Sequence, residues 1–83
     1  MIVKVRLFAS LRSLLPEDSN GEEMELEMAE GATPEEIIRR MEIPAQLAHL
    51  VMVDGYHLLP EERRNRHLKP GEVLSIFPPI AGG

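Results

Sequence analysis

The chain has 83 residues, a formal net charge of −5 and no cysteine; 43% of its residues are apolar and 28% are charged. That is one small domain with the composition of a folded chain. It has no disulfide, no thiolate-held iron–sulfur cluster, no cysteine-type zinc site and no cysteine nucleophile. The acidic balance repels phosphate backbones and argues against a nucleic-acid partner. No apolar run reaches the roughly eighteen residues of a membrane span. Met1 leads into an alternating pattern with no signal-peptide layout, so a cytoplasmic protein without a membrane partner is the expectation.

Ile2 to Phe8 alternates and predicts a strand, with Val3, Val5 and Leu7 toward the core and Lys4, Arg6 and Phe8 on the other face. Leu11, Leu14 and Leu15 have helical spacing and predict a turn or two packed on the core; Pro16 to Gly21 reads as a loop. Glu23 to Met28 alternates again, with Met24, Leu26 and Met28 inward and Glu23, Glu25 and Glu27 facing water. Those carboxylates point along parallel lines, which suits a solvated face rather than a metal site and blunts an edge strand.

Thr33-Pro34-Glu35-Glu36 is a helix start: Thr33 caps, Pro34 suits the first position and Glu36 completes a capping box. Acidic residues stand at the positive end of the dipole, and Arg39 and Arg40 stand near the negative end. Ile37, Ile38 and Met41 form the buried stripe, and Pro44 limits the length. Pro44 to His49 reads as a further turn. Leu50 to Val53 is a short strand closed by the turn pair Asp54-Gly55, with a return strand over Tyr56 to Leu59. Pro60 to Lys69 reads as polar and irregular. After a turn at Lys69 to Glu72, Val73 to Phe77 is the last strand, with Leu74 and Ile76 inward and Val73, Ser75 and Phe77 on the opposite face. One main helix against one sheet is an α+β arrangement, and the last strand fits most economically beside the first.

Phe8 and Phe77 are the only phenylalanines, and both fall on the non-core face. If their strands are neighbours the rings form a patch, which suits a partner site; a covering loop is the alternative. Past Phe77 the chain runs Pro78-Pro79-Ile80-Ala81-Gly82-Gly83. The prolines favour an extended path, and Gly-Gly is the thinnest tip a chain can have, able to enter a channel too narrow for side chains. A frayed end is the ordinary alternative, but it needs neither a stiff base nor an apolar shoulder at Ile80. The domain reads as residues 1–77 and the tail as residues 78–83.

Internal catalysis has little to stand on. No serine sits in a nucleophile elbow and no glycine-rich loop cradles phosphate. His49, Asp54 and His57 match no standard metal spacing, so no metal and no bound cofactor are expected. Arg63, Arg64 and Arg66 make a basic patch with Asp54 and Glu72 as candidate counterions; it is either a solvated loop or a contact for an acidic partner. The remaining chemistry is that of the Gly83 carboxylate, an anion above its reference pKa of ~3.5. It resists nucleophiles until an enzyme that uses ATP converts it to an acyl-AMP.

The end Phe77-Pro78-Pro79-Ile80-Ala81-Gly82-Gly83 resembles that of the ubiquitin-like sulfur carriers of the MoaD/ThiS family, and of the molybdopterin synthase small subunit in particular. Val5 to Arg12, Gly31-Ala32-Thr33, Val51 to Gly55 and Pro70 to Val73 are similar to that group in the same order. The resemblance implies a β-grasp (ubiquitin-like) fold, a mixed sheet with parallel first and last strands packed on one main helix. It implies adenylation of Gly83 by an E1-like enzyme of the MoeB/ThiF kind, and a sulfurtransferase that supplies sulfur for a C-terminal thiocarboxylate. It implies a MoaE-like large subunit that takes the sulfur for molybdopterin. By position, Gly82 and Gly83 carry the chemistry, and Phe8, Phe77, Pro78, Pro79, Ile80 and Ala81 meet partners. The chain itself is then non-catalytic. The same tail also suits carriers for thiamine, tRNA thiolation or cysteine, or a protein modifier; a non-covalent β-grasp adaptor is the alternative of another class. Lys69-Pro70-Gly71-Glu72, Asp54 and the arginine-rich 61–69 segment depart from the family's usual pattern.

Overall fold

The computed structural model describes residues 1–17, 19 and 21–79. Strict alternation makes β1, Ile2–Leu7, a strand with one dry face: Val3, Val5 and Leu7 are fully buried. It pairs antiparallel with β2, Glu23–Glu27, which matches Arg6 with Glu23 and Lys4 with Glu25 across the strands. Opposite charges face each other there, which favours this register on a wet face. A 3₁₀ segment, Ala9–Leu14, separates the two strands. Leu11 is buried in the core but Leu14 is 42% exposed, so only part of the expected leucine face packs inward.

α1 spans Pro34–Arg40. Two turns of helix are too short to persist alone; burial of Ile37 and Ile38 and a defined cap at each end hold them. At the start, Thr33 Oγ1 accepts from the Glu36 N–H at 3.3 Å. Oγ1 also donates to the Glu36 carboxylate at 3.3 Å, so that carboxylate bonds the cap's side chain. At the end, Glu42 takes φ +57°, its N–H reaches the Arg39 carbonyl, and the Ile43 N–H reaches the Ile38 carbonyl. This is a Schellman motif with glutamate where glycine is usual. It stops the helix before Pro44, the residue expected to limit it.

The chain then passes through a short 3₁₀ turn at Ala45–Leu47 into β3, Leu50–Val53. β3 pairs with the two-residue β4, Tyr56–His57. Asp54 and Gly55 both have positive φ, 49° and 87°, as a two-residue hairpin turn requires. Pro60–Asn65 forms a helix, α2, where the sequence pattern predicts irregular chain. Pro60 occupies its first turn, and the Glu62 carboxylate accepts from the Leu59 N–H at 2.8 Å. No residue of α2 is fully buried, so it has no apolar stripe for a periodicity argument to find.

β5, Val73–Phe77, runs up the middle of the sheet, whose order is β2-β1-β5-β3-β4. It is parallel to β1, with Leu7 opposite Ile76, and antiparallel to β3, with Leu50 opposite Phe77. The fold is the β-grasp: a mixed sheet whose one dry face packs on α1. Leu74 and Ile76 are fully buried among Val3, Val5, Leu7, Val51, Val53 and Ile37.

Candidate functional site: the outer sheet face at the end of the last strand

The parallel pairing of β1 and β5 decides the site. Because Leu7 lies beside Ile76, the next residues, Phe8 and Phe77, fall side by side on the outer face. Their rings stack with centroids 4.0 Å apart and planes 10° apart. The Arg6 guanidinium lies 5.8 Å from the Phe8 centroid, within cation–π range, and faces Glu22 and Glu23 at 3.6 and 3.7 Å. Ala9, at φ +52°, turns the chain sharply away after Phe8.

A groove of about 480 Å³ opens beside this pair. Phe8, Ala9 and Ser10 form one wall, His49 and Leu50 the other, and Phe77, Pro78 and Pro79 continue along it. Both rings are half-buried, Pro78 is half-buried and Pro79 is exposed. The groove offers mostly apolar surface and two proline rings, with Ser10 and His49 as its polar residues, a surface suited to recognition.

Of the predicted site residues, Phe8, Phe77, Pro78 and Pro79 come together here. Ile80, Ala81, Gly82 and Gly83 lie outside the described residues. The sequence reading missed the groove's second wall. His49 and Leu50 reach it only through the β3–β5 register, where Leu50 opposes Phe77 and the His49 N–H donates to the Phe77 carbonyl at 3.1 Å. No local motif in the sequence marks them.

The basic patch divides into distinct jobs. Arg63 donates from Nη1 to the Ala48 carbonyl at 2.7 Å and from Nη2 to the His49 carbonyl at 3.0 Å. Its Nε is buried and has no partner among the described residues. Arg66 makes a bidentate pair with Glu72 at 3.0 and 2.7 Å, and Glu72 also accepts from the Lys69 N–H at 2.7 Å. The hydrogen bond from Arg66 holds the Glu72 carboxyl below its ordinary range, against the opposing effect of burial; the same bond raises Arg66. Asp54 accepts from the Val73 N–H at 2.8 Å and so ties the hairpin turn to the start of β5. Asp54 adds to the charge that raises Arg66. Glu72 is thus the counterion that sequence suggested, and Asp54 acts mainly on the backbone. Among the described residues no three His, Asp or Glu side chains are grouped to hold a metal.

A family model described as the ThiS family matches residues 5–83. The chain belongs to the ThiS family. This is the ThiS/MoaD group of ubiquitin-like small proteins, whose sulfur carriers are non-catalytic and carry sulfur as a thiocarboxylate. Among solved structures, the ThiS-family chain is similar to the Haloferax volcanii protein HVO 2177, with a TM-score of 0.79 and 23% identity over 100% of this chain and 87% of that one. It is similar to a Pyrococcus furiosus protein provisionally named molybdopterin converting factor, subunit 1, with a TM-score of 0.66 and 26% identity over 95% and 98% of the two chains. A complex of subunits 1 and 2 of molybdopterin-converting factor from Helicobacter pylori contains a further likeness, with a TM-score of 0.60 and 20% identity over 100% of both chains. No curated protein matches the chain. Among the described residues no helix is long and apolar enough to cross a membrane.

Proposed function

We propose that this ThiS-family chain is the sulfur-carrying small subunit of a molybdopterin synthase. Residues 1–77 are the part that partners grip, and residues 78–83 are the tail that carries sulfur at Gly83. The observation that supports this reading is the stacked Phe8–Phe77 pair and its groove, set immediately before Pro-Pro-Ile-Ala-Gly-Gly. An apolar docking face at the base of a narrow tail lets one partner hold the fold while the carboxyl group enters its active site. Pro78, Pro79, Ile80 and Ala81 guide the tail, and Gly82 leaves room around it.

The chemistry follows from the carboxylate. One Gly83 oxygen attacks the α-phosphate of ATP in an E1-like adenylating enzyme and pyrophosphate leaves. The carboxylate oxygen, a poor leaving group, becomes part of AMP, a good one. A sulfide equivalent supplied by a sulfurtransferase then attacks the carbonyl carbon, and AMP departs to leave the thiocarboxylate. In the large subunit that sulfur passes to a pterin precursor. Catalytic side chains belong to the partners.

The test is intact-mass measurement of the chain purified from its own organism with Gly83 as the last residue. A gain equal to sulfur replacing oxygen, confined to the C-terminal peptide, is expected. Removal of Gly82 and Gly83 should abolish sulfur transfer and leave the melting curve unchanged. Co-purification with a molybdopterin synthase large subunit supports the pathway; recovery of a tRNA thiolase or a thiamine enzyme instead overturns it. Full activity without Gly82 and Gly83 would point to a non-covalent adaptor.

A further inference from the structure

We infer that Arg63 is a positioning residue of the docking groove, which α2 serves from behind. The inference rests on the proposed carrier role only for its consequence in partner binding. α2 buries no residue of its own completely; the core residues Leu58 and Leu68 anchor the chain on either side of it. What it delivers is Arg63, whose two Nη groups take the consecutive carbonyls of Ala48 and His49. Ala48 is buried and caps the 3₁₀ turn before β3. The next residue's N–H holds the Phe77 carbonyl at 3.1 Å, and His49 and Leu50 are the groove's second wall. A single chain of contacts therefore runs from α2 through Arg63 and the 48–49 backbone to Phe77. Arg63 does not line the groove itself.

The fork geometry matters here. Guanidinium presents paired N–H donors in one plane and satisfies two adjacent acceptors at once, whereas an ammonium is a point charge on a flexible stem. Lysine at this position keeps the charge and loses the fork; glutamine keeps one donor group and loses the charge. With either, a single nitrogen must serve the two carbonyls that two fixed nitrogens serve in the wild type, and the 48–49 backbone is held less firmly against β5. The wall then moves relative to Phe77 although the core is untouched.

Arg63→Lys and Arg63→Gln are to be compared with Arg66→Lys, which weakens a pair at the other end of β5 and serves as a control for general loss of stability. Two measurements on the full chain decide the matter. Hydrogen exchange of the His49 amide should quicken roughly tenfold in both Arg63 variants relative to the Arg66 control, with β1 amides unchanged. In ATP–pyrophosphate exchange by the host's E1-like adenylating enzyme, the KM for the chain should rise roughly fivefold with kcat unaltered. Arg66→Lys should leave that KM at the wild-type value. Exchange at His49 equal to the control, or a KM that does not move, overturns the inference. If the wild-type chain supports no ATP–pyrophosphate exchange, the carrier reading fails and the His49 amide alone decides the role of Arg63.

Discussion

Glu72→Gln tests how the start of β5 is held. The carboxylate is largely shielded from water, with its side chain 13% exposed; it takes two guanidinium hydrogen bonds at 3.0 and 2.7 Å and one from the Lys69 N–H at 2.7 Å. Glutamine keeps the shape and one acceptor, loses the charge, and leaves Arg66 without its counterion. Charge-assisted hydrogen bonds are worth ~1.5–3 kcal/mol, and the partial exposure of Arg66 puts the loss at the lower end, about 1.5 kcal/mol. For a domain of this size that lowers the Tm by roughly 6–12 °C. The pH dependence carries the decisive sign. The Glu72 pKa is lowered from 4.5 on folding, chiefly by the Arg66 hydrogen bond. A depressed carboxylate contributes its full stability above the unfolded-state value of 4.5 and loses it as pH falls through the folded-state value. Urea unfolding of both proteins should therefore show a constant gap from pH 7 to pH 5, about neutral to mildly acidic, that narrows steadily below 4.5. A gap that keeps its size in acid, or no gap at neutral pH, would refute the account.

Three further outcomes follow from single contacts. Thr33→Ala removes the side-chain cap of α1 and should cost about 1 kcal/mol in urea unfolding, while Thr33→Ser should restore most of it. Glu42→Gly places glycine at a position with φ +57° that ends a Schellman motif, and should stabilise the chain by about 0.5–1 kcal/mol; a loss of stability would argue against that backbone conformation. Phe77→Ala strips the groove of the ring opposite Leu50. In titration calorimetry against the large subunit it should weaken binding by about 2 kcal/mol, roughly thirtyfold, as a central aromatic anchor does; an unchanged affinity would move the docking face elsewhere.

Much of this architecture is legible in the residues because alternation and capping are local. Val3, Val5, Leu7, Leu74 and Ile76 announce two dry strand faces, and Thr33-Pro34 announces the helix between them. The same parity argument puts Phe8 and Phe77 on the outer face before any pairing is known. α2 is not legible in this way. It lies on the surface without a buried stripe, and its signals, Pro60 and Glu62, are caps rather than a period. Glu42 hides the end of α1 for a related reason: glutamate seldom takes the conformation that glycine normally marks.

Sequence alone determined which residues seek burial, where the main helix starts, and that Pro-Pro-Ile-Ala-Gly-Gly follows Phe77 directly. Each of these depends on neighbours within a few positions. The contact of Phe8 with Phe77, the wall built by His49 and Leu50, and the grip of Arg63 on the 48–49 backbone were decided only by tertiary structure. The first two join distant residues through strand register, which is set by how the whole sheet packs on α1, and the third through the place of α2 beside the turn before β3.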